Sequence, residues 1–188
     1  HLAVVRARDQ LIGTRTKLIN NVRGLLKPFG VDLPRNCADT FAQKARTLIP
    51  EMYMPAVEGV LNTLDAIQKN IKYYDKLVKK LAKEKYPETQ RLTQICGVGD
   101  LTALAFILTI WDVQRFGSNR SIGAYLGLVP RCHDSGDIQP ELRITCRGDK
   151  LVRKLLINAA QYILGPFGPM TDLKMIGIKL HSRGGKWA

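Results

Sequence analysis

Val57, Val60, Leu64, Ile67, Ile71, Tyr74, Val78 and Leu81 follow one another at alternating intervals of three and four residues without a miss. That repeat lines one seam of a long helix, and few other arrangements of the chain would bury all of these side chains together. The positions between them are Asp, Asn, Gln and many Lys, so the remainder of the helix is wet and basic. A helix with one apolar edge needs a partner. It can fold back on a second helix of the same chain or meet a second copy as a homo-oligomer, and spacing does not choose between the two.

A second stripe opens the chain. Apolar doublets Val4-Val5, Leu11-Ile12, Leu18-Ile19 and Leu25-Leu26 recur every seven residues among Arg, Asp, Gln, Thr and Asn, which predicts a helix from the first residues to about Leu26. Pro28 and Gly30 mark its end. Residues 31–50, with Pro34, Asn36 and Pro50, read as a connector holding a short helix around Phe41 to Leu48. Pro87 closes the seam helix. The expected architecture is mainly α: a helical coiled-coil arm over residues 1–88 and a compact, mostly helical domain over 89–188. Because His1 already lies inside the first periodic pattern, the chain is expected to be a piece of something longer.

Charge narrows the partner. Lys and Arg number 29 against 16 Asp and Glu, and the net +13 is divided almost evenly between the halves. Positive charge spread over a folded chain suits a polyanion, because each neutralised phosphate releases condensed counterions. The plainer alternative is charge that only keeps the chain soluble. The four cysteines show no Cys-x-x-Cys spacing, so neither a zinc ribbon nor a disulfide framework is expected, and no metal site is assigned. The longest apolar run, "LTALAFILTIW", is too short to cross a bilayer. A reduced, cytoplasmic setting without membrane attachment is the expectation.

The second half carries the chemistry. "RLTQICGVGDLTALAFILTI" reads as a short helix, a Gly97-Val98-Gly99 turn and an apolar helix from about Leu101, resembling a helix-hairpin-helix. Glycines there let backbone amides crowd at a positive helix end, where they can hold a phosphate without reading bases; the alternative is a turn in which they only permit close packing. Ser118 is placed to cap a short helix through Tyr125, with Arg120 and Arg131 bracketing it. A loop from Arg131 to Gly136 and a small extended piece around Leu142 to Thr145 follow. Asp149 then caps a helix whose start carries Lys150, Arg153 and Lys154. Cations at a helix N-terminus are locally unfavourable, which suggests a bound anion beside them.

These motifs occur in a fixed order: Ile95-x-Gly97-Val98-Gly99, Arg115-Phe116, Ala124-Tyr125-Leu126-Gly127-Leu128-Val129-Pro130, Ser135-Gly136, Ile144-Thr145, Arg147-Gly148-Asp149, and Arg153 ahead of Ala159-Ala160. In that order they closely resemble the C-terminal transposase domain of the IS-one-ten insertion-sequence family, the DEDD-type, serine-bearing transposases that include bridge-RNA-guided recombinases. The resemblance is dense over residues 91–164, and the upstream helices are similar to the family's coiled-coil region. It departs at Cys96, where relatives usually carry proline, and at Cys146 and Asp149, where they often carry Lys and Asn.

The resemblance implies a DNA recombinase in which Ser135 attacks the DNA backbone, with DNA and a guide RNA as partners. A hydroxyl is a poor nucleophile without a base, and the phosphorus centre it attacks needs cations, for which Arg131, Arg143, Arg147 and Arg153 are placed to serve. Gly97, Gly99, Arg120 and Lys150 complete the expected nucleic-acid contacts. The family's acidic residues belong to an N-terminal RuvC-like domain that would hold magnesium, so no cofactor is expected within this chain and alone it is expected to be inactive. Two rival readings are a non-catalytic nucleic-acid-binding module in which Ser135 is a turn residue, and a coiled-coil scaffold.

Overall fold

The computed structural model describes residues 1–33, 38–132, 142–166 and 168–182. Eight α-helices run through them, and no strand longer than a single bridge occurs among the described residues. Two compact units divide the chain, Ala3–Val78 on one side and Lys79–Ala188 with His1–Leu2 on the other. The division falls inside the seam helix.

In the unit Ala3–Val78, α1 (Leu2–Leu26) and α3 (Met54–Glu84) form an antiparallel hairpin. Its sense follows from the cross-links: Arg8 bonds Asp75, and Arg15 donates to Gln68 at 2.7 Å. The seam therefore finds its partner in the same chain. Val57, Leu64, Ile67, Ile71 and Val78 are all buried there, as are Val5, Ile19 and Leu26, the second members of three of the α1 doublets. Of the two partners that the spacing left open, the fold-back on α1 is the one seen within this chain.

The connector earns its fold by packing. Helix α1 ends at Leu26, passes into a 3-10 turn over Lys27–Phe29 and is stopped by Gly30 at φ 74°. Helix α2 (Phe41–Leu48) then lays Phe41, Ala42 and Ala45 into the same apolar cluster as Val22, Leu26, Val57 and Leu61. Arg46 locks α2 to α3 by donating to Asp65 at 2.8 Å, Asn62 at 2.9 Å and Glu58 at 3.3 Å. The hydrogen bond to Asp65 is the main cause holding this guanidinium more firmly protonated than usual.

The unit beginning at Lys79 starts with the last turn of α3. Thr89 is buried and its hydroxyl donates to the carbonyls of Tyr86 at 2.7 Å and Ala82 at 3.0 Å, which satisfies that helix end beside Pro87. Helix α4 (Thr89–Thr93) leads into α5 (Asp100–Ile110), whose Ala103, Leu104, Ala105 and Leu108 form the centre of the unit. Helix α6 (Asn119–Tyr125), α7 (Lys150–Leu164) and α8 (Asp172–Ser182) complete it, with α4 and α7 packed on α5 and α8 on α7. No helix is long and apolar enough to cross a membrane among the described residues.

Candidate nucleic-acid interface

The exit of α6 and the entry to α7 are built against each other. Arg131 donates its amide to the Arg143 carbonyl at 3.1 Å, Thr145 to Val129 at 2.9 Å and Cys146 to Gly127 at 3.2 Å, around a Pro130–Ile144 antiparallel bridge. The extended piece expected around Leu142 to Thr145 thus exists, shortened to one arm of a small stem. Ser135 lies outside the described residues, as does His133; both arms of the stem that bracket them in sequence are described.

Two glycines make the stem's base possible. Gly127 has φ 70°, and a Cβ built there would lie 1.9 Å from the Arg147 carbonyl oxygen; Gly148 has φ 83°, and its Cβ would lie 2.0 Å from the Tyr125 oxygen. Only a residue without a side chain lets the two backbones cross so closely. Cys146 also takes a positive φ, 56°, so the turn before α7 holds a strained residue two positions ahead of the permissive one.

Arg153 belongs to this crossing and does not face solvent as expected. It is 8% exposed, and one Nη donates to the Leu126 carbonyl at 2.9 Å and to the Arg147 carbonyl at 2.8 Å. A guanidinium enclosed in this way ties the end of α6 to the turn before α7 and offers little surface to a DNA phosphate. At the start of α7 the Asp149 carboxylate accepts from the Val152 amide at 2.9 Å, the cap expected from sequence.

The other cations keep outward positions. Arg131, Arg143 and Arg147 are exposed on or beside the stem, Lys150 is exposed at the first residue of α7, and Arg120 is exposed in α6. The stem brings the first two side by side in register, with Arg147 directly after Cys146, the last bonded residue of its arm.

The Gly97-Val98-Gly99 turn joins α4 to α5 as expected, but its glycines differ in role. Gly97, at φ 85°, is backed onto α7: a Cβ would meet the Ala159 carbonyl at 3.0 Å and Tyr162 at 3.2 Å. It is a packing glycine. Gly99 opens α5 in extended conformation with nothing within 4 Å of a built Cβ. Asp100, in the first turn of α5, already places a negative charge at that positive helix end.

Residues 89–170 match the family model described as the transposase IS116/IS110/IS902 family. Over this stretch the chain is similar to that transposase family. The matched residues contain α4 to α7, the stem and the exposed cations just described. The chain is 35% identical to the transposase for insertion sequence element IS1111A of Coxiella burnetii, over 94% of its own length and 50% of that relative. It is 32% identical to a probable family 20 transposase of Pseudomonas aeruginosa, over 90% of the chain and 52% of the relative. It is 30% identical to the transposase for insertion sequence element IS1328 of Yersinia enterocolitica, over 85% and 48%. The chain spans about half the length of the curated relatives it matches.

Sequence reasoning passed over one feature of this region. Arg115 stands with its guanidinium carbon 5.2 Å from the ring centroids of both Phe116 and Tyr125, which themselves meet edge to face. The Arg-Phe pair is visible in the sequence, but the ten residues to Tyr125 hide the stack until α6 is folded.

Proposed function

We propose that the chain is part of an insertion-sequence transposase that acts on DNA, with the stem between α6 and α7 as the element that addresses the scissile phosphate. The observation that carries this reading is the stem itself: within a transposase-family domain, Arg131 and Arg143 are paired across it, Arg147 follows, and Ser135 falls between its arms in sequence. In the step proposed, the Ser135 hydroxyl oxygen forms a bond to phosphorus, the bond to one backbone oxygen breaks, and the serine proton passes to a base and on to the leaving oxygen. Exposed guanidinium groups stabilise the charge that gathers on the phosphoryl oxygens. The resulting phosphoserine link is resolved by strand exchange.

Arg131, Arg143, Arg147, Lys150 and Arg120 are the proposed phosphate contacts, and Gly99 supplies the contact of the α4–α5 turn, because space over its Cα is open. Arg153 and Gly97 are left to structure. A guide RNA and self-association through a surface other than the α3 seam belong to the same proposal, as does a cytoplasmic setting. Among the described residues no three His, Cys, Asp or Glu side chains converge, and no step is routed through a metal. Magnesium held by acidic residues of an N-terminal RuvC-like domain is proposed only for a longer protein.

A nicked or suicide DNA substrate tests the reading, with the chain joined to the upstream half of a relative. A covalent protein–DNA adduct is expected with Ser135 and none with Ser135→Ala. An adduct that survives the substitution, or its absence from both proteins while both bind DNA, favours the non-catalytic binding module.

A further inference from the structure

Trp111 ends α5 in a conformation that a tryptophan seldom takes. Its φ of 63° and ψ of −68°, with the Asp112 amide donating to the Ile110 carbonyl at 2.7 Å, make it the centre of a γ-turn of the rare, strained kind. Helices that end with positive φ normally do so on glycine, because a side chain there is crowded by its own backbone. Burial of the indole would offset such strain. Here the side chain is not buried: Trp111 is 77% exposed, and Val113 next to it is 60% exposed. The backbone below is firm, since Ile110 is 2% exposed and the Trp111 amide donates to the Ile107 carbonyl at 2.8 Å. A rigid helix end therefore holds a large aromatic face out into water.

The segment that follows is cationic and aromatic. The Asp112 carboxylate accepts from the Gln114 amide at 2.8 Å, and the Phe116 amide closes a turn onto Val113 at 3.1 Å, so this acid is engaged locally. Exposed Arg115 stands with its guanidinium carbon 5.2 Å from the ring centroids of both Phe116 and Tyr125, at the surface where its N–H donors can meet an anion. An exposed ring for a base face, together with a nearby guanidinium for a phosphate, is the pairing that holds single-stranded nucleic acid without regard to sequence.

We propose that Trp111 is a stacking platform for an unpaired nucleobase, with Arg115 serving the adjoining phosphate. The inference rests on the reading that this domain binds DNA, and adds to it a site for a strand out of the duplex. A base in a duplex has both faces covered by its neighbours, so a protruding indole gains most from an unpaired one.

The test uses the whole chain carrying Trp187→Phe, which leaves Trp111 as the sole tryptophan of the two. A short labelled oligothymidylate and a blunt duplex of equal length are titrated while indole emission and label anisotropy are followed. The single strand is expected to quench Trp111 with the same midpoint as the anisotropy. Trp111→Leu should weaken single-strand binding about tenfold or more and duplex binding little. Trp111→Gly should show the same loss while melting no lower than its parent, because glycine accepts this φ freely. Emission that stays unchanged while DNA binds, or equal losses on both DNA forms, overturns the platform and leaves the basic surface standing. Failure of both DNA forms to bind at low salt removes the platform and the DNA-binding reading together.

Discussion

Arg153 and Leu126 lie 27 residues apart, yet the guanidinium of one meets the backbone carbonyl of the other at 2.9 Å, and the same nitrogen reaches the Arg147 carbonyl at 2.8 Å. A charged donor spanning two carbonyls fixes where α6 ends relative to where α7 begins, and so fixes the base of the stem. Arg153→Gln removes the charge and shortens the reach, leaving two carbonyls with poorer partners. The expected cost is about 2 to 3 kcal/mol in urea unfolding. Amide exchange of Arg131, Thr145 and Cys146 should quicken with it. The salt dependence of DNA binding should keep its slope, since Arg153 does not face phosphate. A flatter slope with unchanged exchange would return Arg153 to the DNA surface.

The glycines at the same crossing give a sharper contrast. Gly127→Ala and Gly148→Ala each set a methyl about 2 Å from a carbonyl oxygen of the opposing backbone, with φ positive as well. Neither neighbour is a side chain able to swing aside, so each substitution should cost more than about 3 kcal/mol and collapse the stem. Gly99→Ala, with open space and ordinary φ, should stay within about 1 kcal/mol of the parent. Thermal melts of the three variants decide this, and a stable Gly148→Ala would show that the crossing is wider than described.

Helix positions were legible in the sequence wherever burial has a local period. The α1 doublets, the α3 seam, α2 near Phe41 and the Asp149 cap of α7 all sit where spacing and cap chemistry put them. What spacing does not encode is which distant segment covers a face. The choice of α1 over a second copy depends on Arg8 reaching Asp75 and Arg15 reaching Gln68, contacts that a 3.5-residue repeat leaves open. Arg153 illustrates the same limit: in sequence it is one more cation near a helix start, and only the fold encloses it. Helix α8 was passed over because its apolar residues do not form a stripe the chain buries; Leu173, Ile176, Ile178 and Leu180 are each about half exposed.

In the unit Ala3–Val78 the connector depends on Arg46. Its guanidinium gathers Glu58, Asn62 and Asp65, three residues on neighbouring turns of α3, so one side chain orders the whole of α2 against that helix. All partners are partly exposed, and the solvent-screened value of such a network is about 1 kcal/mol. Arg46→Met, which keeps the apolar stem, should lower the unfolding midpoint by that amount at low salt. At molar salt the gap from the parent should shrink, because screening already weakens the ion pairs. A gap that does not change with salt would assign the loss to packing of the side-chain stem.

The exposed cations are distinguished from Arg153 by counterion release. Each Lys or Arg that neutralises a phosphate contributes about 0.9 to the slope of log affinity against log salt on duplex DNA. Arg131→Gln and Lys150→Gln should therefore each lower that slope by about one while leaving the melting temperature near the parent, since both side chains are exposed. Combined, they should lower it by about two, because separate phosphates release separate counterions. Lys72→Gln, on the exposed face of α3 in the other unit, is the comparison for bulk charge alone. An equal slope change there would mean that net +13 attracts DNA diffusely, and the stem would lose its claim to be the contact surface.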